Sequence, residues 1–120
     1  MATRFNYKNQ DAYKEYVSYE TRPEGLPGYS MDEDGIPEVA PGELFCRARL
    51  STGEMCANTT KQYQPGNLRN HLKTTHGYAM KNLPAGVMKM VQQQITAKFY
   101  VDLMKRVKDN ERKDADVLIN

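Results

Sequence analysis

Every cysteine and every histidine of this 120-residue chain falls within one short segment, as Cys46, Cys56, His71 and His76. No run of apolar residues approaches the ~18 that a membrane span needs. The start, Met1-Ala2-Thr3-Arg4-Phe5-Asn6-Tyr7, lacks the apolar stretch of a secretory signal. The chain therefore reads as intracellular, with no membrane partner. In a reducing compartment two cysteines seldom form a structural disulfide. Four soft or borderline ligands in so small a span instead suit a single tetrahedral zinc ion, Zn2+, in a structural role. The alternative is a helix with two incidental histidines beside two unrelated buried cysteines.

The surrounding residues give each ligand an expected place. Leu44, Cys46, Ala48 and Leu50 alternate with Arg47 and Arg49, which predicts a short strand with one face inward. Ser51-Thr52-Gly53-Glu54 reads as a turn, and residues 55–60 as a returning strand. Pro65 suits the first position of a helix and Gly77 its end, so residues 65–76 are expected to be helical. On that helix His71 and His76 stand five positions apart, little more than one turn. A hairpin and a helix can thus bring four ligands to one ion. The metal then stands in for a core that a chain with only 39% hydrophobic residues and no Trp is too lean to build.

The stretch Gly66-Asn67-Leu68-Arg69-Asn70-His71-Leu72-Lys73-Thr74-Thr75-His76-Gly77 resembles the helix of a two-cysteine, two-histidine zinc finger. It is most similar to the BED-type fingers of transposase-related and chromatin proteins. The resemblance spans about residues 44–78 and puts Leu68 at the family's core leucine. The chain differs in the nine residues between its cysteines, and its nearest aromatic after the second cysteine is Tyr63. The resemblance implies a nuclear protein whose helix enters the major groove. Gln64, Asn67 and Asn70 would then face the bases, where amides pair with adenine. Arg69, Lys73, Lys61 and Arg47 would contact phosphates.

Charge supports that partner. Residues 1–43 carry four Lys/Arg against nine Asp/Glu, whereas residues 44–83 carry six Lys/Arg against Glu54 alone. A basic finger beside an acidic leader favours nucleic acid, most directly duplex DNA. The competing expectation is a protein-interaction module, with the finger as a rigid mount. RNA binding through exposed tyrosines is a third class. Catalysis is not expected. Four protein ligands leave zinc no open position, no glutamate lies within the His-x4-His helix, and there is no phosphate-binding glycine loop.

The expected fold class is α+β, a small ββα zinc finger with flanking N- and C-terminal helices. Residues 1–20 contain a short helix with Tyr13, Tyr16 and Val17 on one face, capped by Asn9 or Asp11. Residues 21–43 hold four of the six prolines and form an acidic linker. Its Asp32-Glu33-Asp34 lacks the alternation of a calcium loop. The finger occupies 44–78. A long amphipathic helix is expected over 84–113, opened by Pro84 with Asn82 as cap, and a tail over 114–120. Val87, Val91, Ile95, Phe99, Leu103 and Val107 recur every four residues along that helix. This stripe drifts by ~40° per step, unlike a heptad seam. It predicts tertiary packing centred on Phe99, or a protein partner or self-association through residues 87–107.

Overall fold

The computed structural model describes residues 5–81 and 88–119, with side chains through Arg112. Three α-helices are present among them: α1 (Asp11–Ser18), α2 (Pro65–His76) and α3 (Met90–Ile119). A 3-10 turn, Tyr7–Asn9, precedes α1. The chain divides into two units. One gathers the 3-10 turn, α1, Pro23–Leu26 and α3; the other comprises Glu20–Arg22 and the chain from Pro27 through α2.

The first unit is built on tyrosine. Tyr7, Tyr13, Tyr16 and Tyr100 are all buried. The rings of Tyr13 and Tyr100 meet edge to face at 4.7 Å, and Tyr16 lies 4.9 Å from Tyr100. Such tilted pairs add attraction beyond the area they bury. The expected caps of α1 differ from those found. Gln10 occupies the cap position without a side-chain bond, and Asn6 instead caps the 3-10 turn by accepting from the Lys8 backbone N–H at 2.9 Å. The Tyr7 N–H donates to Gln93 Oε1 at 2.9 Å, which ties the turn to α3. Gly25, at φ +95°, passes so near α3 that a Cβ there would lie 2.6 Å from Asn110 Cβ. Only glycine suits both the positive φ and the close approach.

The buried face of α3 is Thr96, Tyr100, Leu103, Met104 and Val107. This set advances by a mixture of threes and fours, as a straight helix requires. The four-residue stripe expected from Val91 is therefore corrected. A constant step of four rotates around the helix, so Val91 and Ile95 are 63% and 58% exposed while Leu103 and Val107 are buried. Phe99 is only half-buried, edge-on to Tyr100 at 5.0 Å. Val87, Pro84 and Asn82 lie outside the described residues. No helix among the described residues is long and apolar enough to cross a membrane.

The second unit holds α2 and the two cysteines, but the expected ββα strands are not formed as strands. Residues 44–50 and 54–62 do run antiparallel. Cys56 N–H donates to Ala48 O at 2.8 Å, Leu50 N–H to Glu54 O at 2.7 Å, and Gln62 N–H to Leu44 O at 2.9 Å. Only one bridge pair, Arg49 with Met55, joins them. The alternation fails because every residue from Gly42 to Ala48 is buried, Phe45 and Arg47 included. A half-buried pleated strand would expose every second residue.

Tyr100 thus replaces Phe99 as the residue on which the first unit rests. Tyr100→Ala should cost about 3–5 kcal/mol of stability, read from a denaturant midpoint. Val91→Ser should stay within about 0.5 kcal/mol of the parent. Equal losses at the two positions would contradict this packing.

Candidate metal centre

The second unit's core is made of Cys46, Ala48, Cys56, Leu68 and Leu72, with Tyr29, Val39, Tyr78 and Met80 packed against it. Leu68 and Leu72, both fully buried, lie on the inner face of α2. Pro65 opens that helix, and Gly77 closes it in the left-handed region at φ 71°. The backbone N–H groups of Gly77 and Tyr78 both return to Leu72 O, the latter at 3.2 Å, and so satisfy a carbonyl of the last turn. With that face inward, His71 and His76 project from its edge toward the cysteines.

Ligand atoms from Cys46, Cys56, His71 and His76 all lie within 4.8 Å of one another. Cys46 Sγ stands 3.6 Å from His76 Nε2, and Cys56 Sγ 3.7 Å from His71 Nε2. A tetrahedron with Zn–S of about 2.3 Å and Zn–N of about 2.0 Å has S···N edges of about 3.5 Å. The two closest pairs match those edges, so these four residues can hold one metal ion. Burial pushes the Cys46 thiol up to about 11, with Cys56 beside it acting in the same direction. Burial, assisted by His71, also lowers the pKa of His76. Without metal, Cys46 is thus a thiol at neutral pH and His76 a neutral imidazole. An ion entering the site displaces the thiol proton.

Outer partners orient the ligands. Thr75 Oγ1 lies 3.3 Å from His71 Nδ1. With Nδ1–H donating to that hydroxyl, the Nε2 lone pair faces Cys56, the usual device for fixing a ligand imidazole. The Ala48 N–H points at Cys46 Sγ from 3.5 Å. Arg22 Nη1 donates to the Cys46 carbonyl at 2.9 Å.

Beside Cys46 sits an ion pair that sequence reasoning missed. Arg47 Nε and Nη2 donate to the two carboxylate oxygens of Glu43 at 2.7 and 3.0 Å, with both side chains buried. Arg47 Nη1 also reaches the carbonyls of Pro27 and Gly28, and its guanidinium lies over the Tyr29 ring at 4.3 Å. Glu43 Oε2 further accepts from the Ala40 N–H at 2.7 Å. The expectation of Arg47 as a phosphate contact is corrected: its donors are committed inside the unit. The available signal was the opposite charge four positions away.

The remaining expected contacts fall as follows. Gln64, Asn67, Asn70 and Lys73 are exposed, while Lys61 and Arg69 are half-buried. Arg69 Nη2 donates to the Lys81 carbonyl. Lys81 pairs with Asp32 at 2.6 Å, so an acid of the linker neutralises one base of the finger segment. The Lys81 hydrogen bond is the main cause holding the Asp32 carboxyl below its usual range.

Comparisons with protein-family models, curated proteins and solved structures return no match for this chain. The site rests on its own geometry.

Two outcomes follow from that geometry. Chelating the metal should collapse the dispersed amide signals of residues 44–78, because metal binding in such a site supplies folding free energy of about 10–16 kcal/mol. An unchanged spectrum would show that these residues fold without an ion. Arg47→Ala should lower stability by about 3–5 kcal/mol by stranding buried Glu43. A loss below about 1 kcal/mol would mean that the pair is not sealed from water.

Proposed function

We propose that this chain is a zinc-dependent nucleic-acid-binding protein of BED-like character, acting in the nucleus and meeting duplex DNA with the outer face of α2. The observation that carries this reading is the division of α2 into two faces. One face is committed to Leu68, Leu72 and the metal ligands. The other presents Gln64, Asn67, Asn70 and Lys73 to solvent. A metal clasped behind a helix keeps its outer side chains at fixed spacing, and amides at fixed spacing suit adenine edges in a major groove. Zinc is favoured as the ion because two thiolates and two imidazoles in a tetrahedron match its ligand preferences. When bound it supplies structure and no reaction, since four protein ligands leave no place for water or substrate. The reading is accordingly non-enzymatic.

The electrostatic footprint is smaller than sequence alone implies. Arg47 is buried and Lys81 is paired. Lys73 and Arg49 are exposed, and with Arg69 and Lys61 they are candidate phosphate contacts, although Arg49 and Arg69 also donate to the Gly53 and Lys81 carbonyls. About three or four contacts correspond to a log–log salt slope of roughly −3. A second reading, as a protein-interaction module, draws on Val91, Ile95 and Val101, which stand exposed on α3.

Titration of the zinc-loaded chain with a randomised duplex at low salt separates the two. Binding with a slope near −3 supports DNA, and Lys73→Ala should flatten that slope by about one unit on every sequence alike. Asn67→Ala should instead change sequence preference by about 1–3 kcal/mol at one base pair. Absence of binding at low salt, where screening is weakest, would discard DNA in favour of the protein-interaction module.

A further inference from the structure

The chain has eight tyrosines, and the structure describes them all. Seven are buried or half-buried, packed as core or partial core. Tyr63 alone is exposed, at 88%, more than any other large hydrophobic residue described. Leaving an aromatic ring in water forgoes the apolar burial that every other tyrosine obtains. Its position gives the exposure a use. Tyr63 directly precedes Gln64, the cap of α2. It stands just ahead of the helix whose residues Asn67, Asn70 and Thr74 are all exposed. Gly66, beside it in the first turn, has no atom within 4 Å of where a Cβ would stand. The first turn of α2 is thus uncrowded at Gly66, and the 88% exposure of Tyr63 leaves its ring accessible to a flat ligand.

We propose that Tyr63 stacks on an unpaired base of the nucleic acid, so that the α2 face prefers a duplex carrying a single-stranded extension over a blunt one. This rests on the nucleic-acid reading of α2. A base inside a duplex is stacked on both sides and offers no face to a side chain, whereas an unpaired base offers one. Tyrosine stacks on any base, because each has a π-face and stacking needs no donor–acceptor code. The amides of Asn67 and Asn70 would read the paired segment, and Tyr63 would mark where pairing ends. Tyr63 is thus a specificity-determining residue for nucleic-acid form, and not for sequence.

The test compares the full zinc-loaded chain with its Tyr63→Phe and Tyr63→Ala variants on two probes at low salt: a blunt duplex, and the same duplex with a four-nucleotide overhang. The parent and Tyr63→Phe should bind the overhang probe about ten-fold more tightly than the blunt one, within the range of a single base–aromatic stack. Tyr63→Ala should lose that preference and keep the parent's affinity for the blunt duplex. Because the ring is exposed, the variant should keep its metal content and fold, which its amide spectrum would confirm. On the overhang probe the Tyr63 ring protons of the parent should shift upfield. If the parent binds both probes equally, or Tyr63→Ala retains the preference, stacking is overturned while the nucleic-acid reading stands. If the parent binds neither probe, that reading fails and the stacking proposal with it.

Discussion

The second unit depends on four side chains meeting at one point. Cys46 and Cys56 come from an irregular pair of antiparallel segments, and His71 and His76 from one edge of a twelve-residue helix. The apolar cluster directly at their back is small: two leucines, an alanine and the cysteines themselves, with four half-covered neighbours, while Leu44 and Phe45 are buried nearby in sequence. A lean core leaves little margin over the entropy of ordering some sixty residues. One ion held by all four ligands would join three separate pieces of chain. Its binding free energy is then indistinguishable from the folding free energy of those pieces.

Such a dependence would account for the absence of a regular sheet around the cysteines among the described residues. A ladder holds strands together by repeated hydrogen bonds. Here the cysteine segments share one bridge and a few scattered bonds. Position is set instead at particular points. Arg22 holds the Cys46 carbonyl, Ala48 directs an N–H toward its sulfur, and the Glu43–Arg47 pair anchors the turn before it. A buried ion pair is a poor source of net stability, since desolvating two charges consumes most of their attraction. Its geometry is nonetheless demanding: two parallel N–H···O bonds, two backbone carbonyls and a ring face must all be satisfied together. Such a cluster fixes where Cys46 sits more strictly than apolar packing would.

The ligand set and its helix were legible in the sequence because they depend on local rules. Two histidines five apart, a proline at the helix start and a glycine at its end each carry a short-range physical meaning. What could not be read depends on tertiary partners. Alternation of Arg47 and Arg49 with apolar residues looks like a half-exposed strand, but the pattern cannot tell that Glu43 waits inside for Arg47. On α3 the step of four was real in the sequence, yet it named a spiral where packing selects a stripe. Thr96 and Met104 complete that stripe; Thr96 is polar, and Met104 falls outside the series of fours. The tyrosines of α1 were visible at helical spacing. Their common partner Tyr100 lies more than eighty positions away.

The charge pattern teaches the same lesson for function. Counted along the chain, the finger segment is strongly basic; counted in space, two of its six bases are matched by acids from the leader, Arg47 by Glu43 and Lys81 by Asp32. The acidic and basic halves are therefore partly one another's counterions. A long-range field built on the linear tally would overstate the pull on a phosphate backbone, because paired charges at 2.6–2.7 Å cancel beyond a few ångströms. In the proposed nucleic-acid reading, with that field reduced, recognition by α2 would lean on short-range contacts, the exposed amides and the uncovered Tyr63 ring, to a degree that net charge alone would hide. A nucleic-acid binder with few phosphate contacts loses less affinity to salt. It also keeps less hold on DNA of the wrong form, so in the proposed reading discrimination would rest on the side chains of a single helix face.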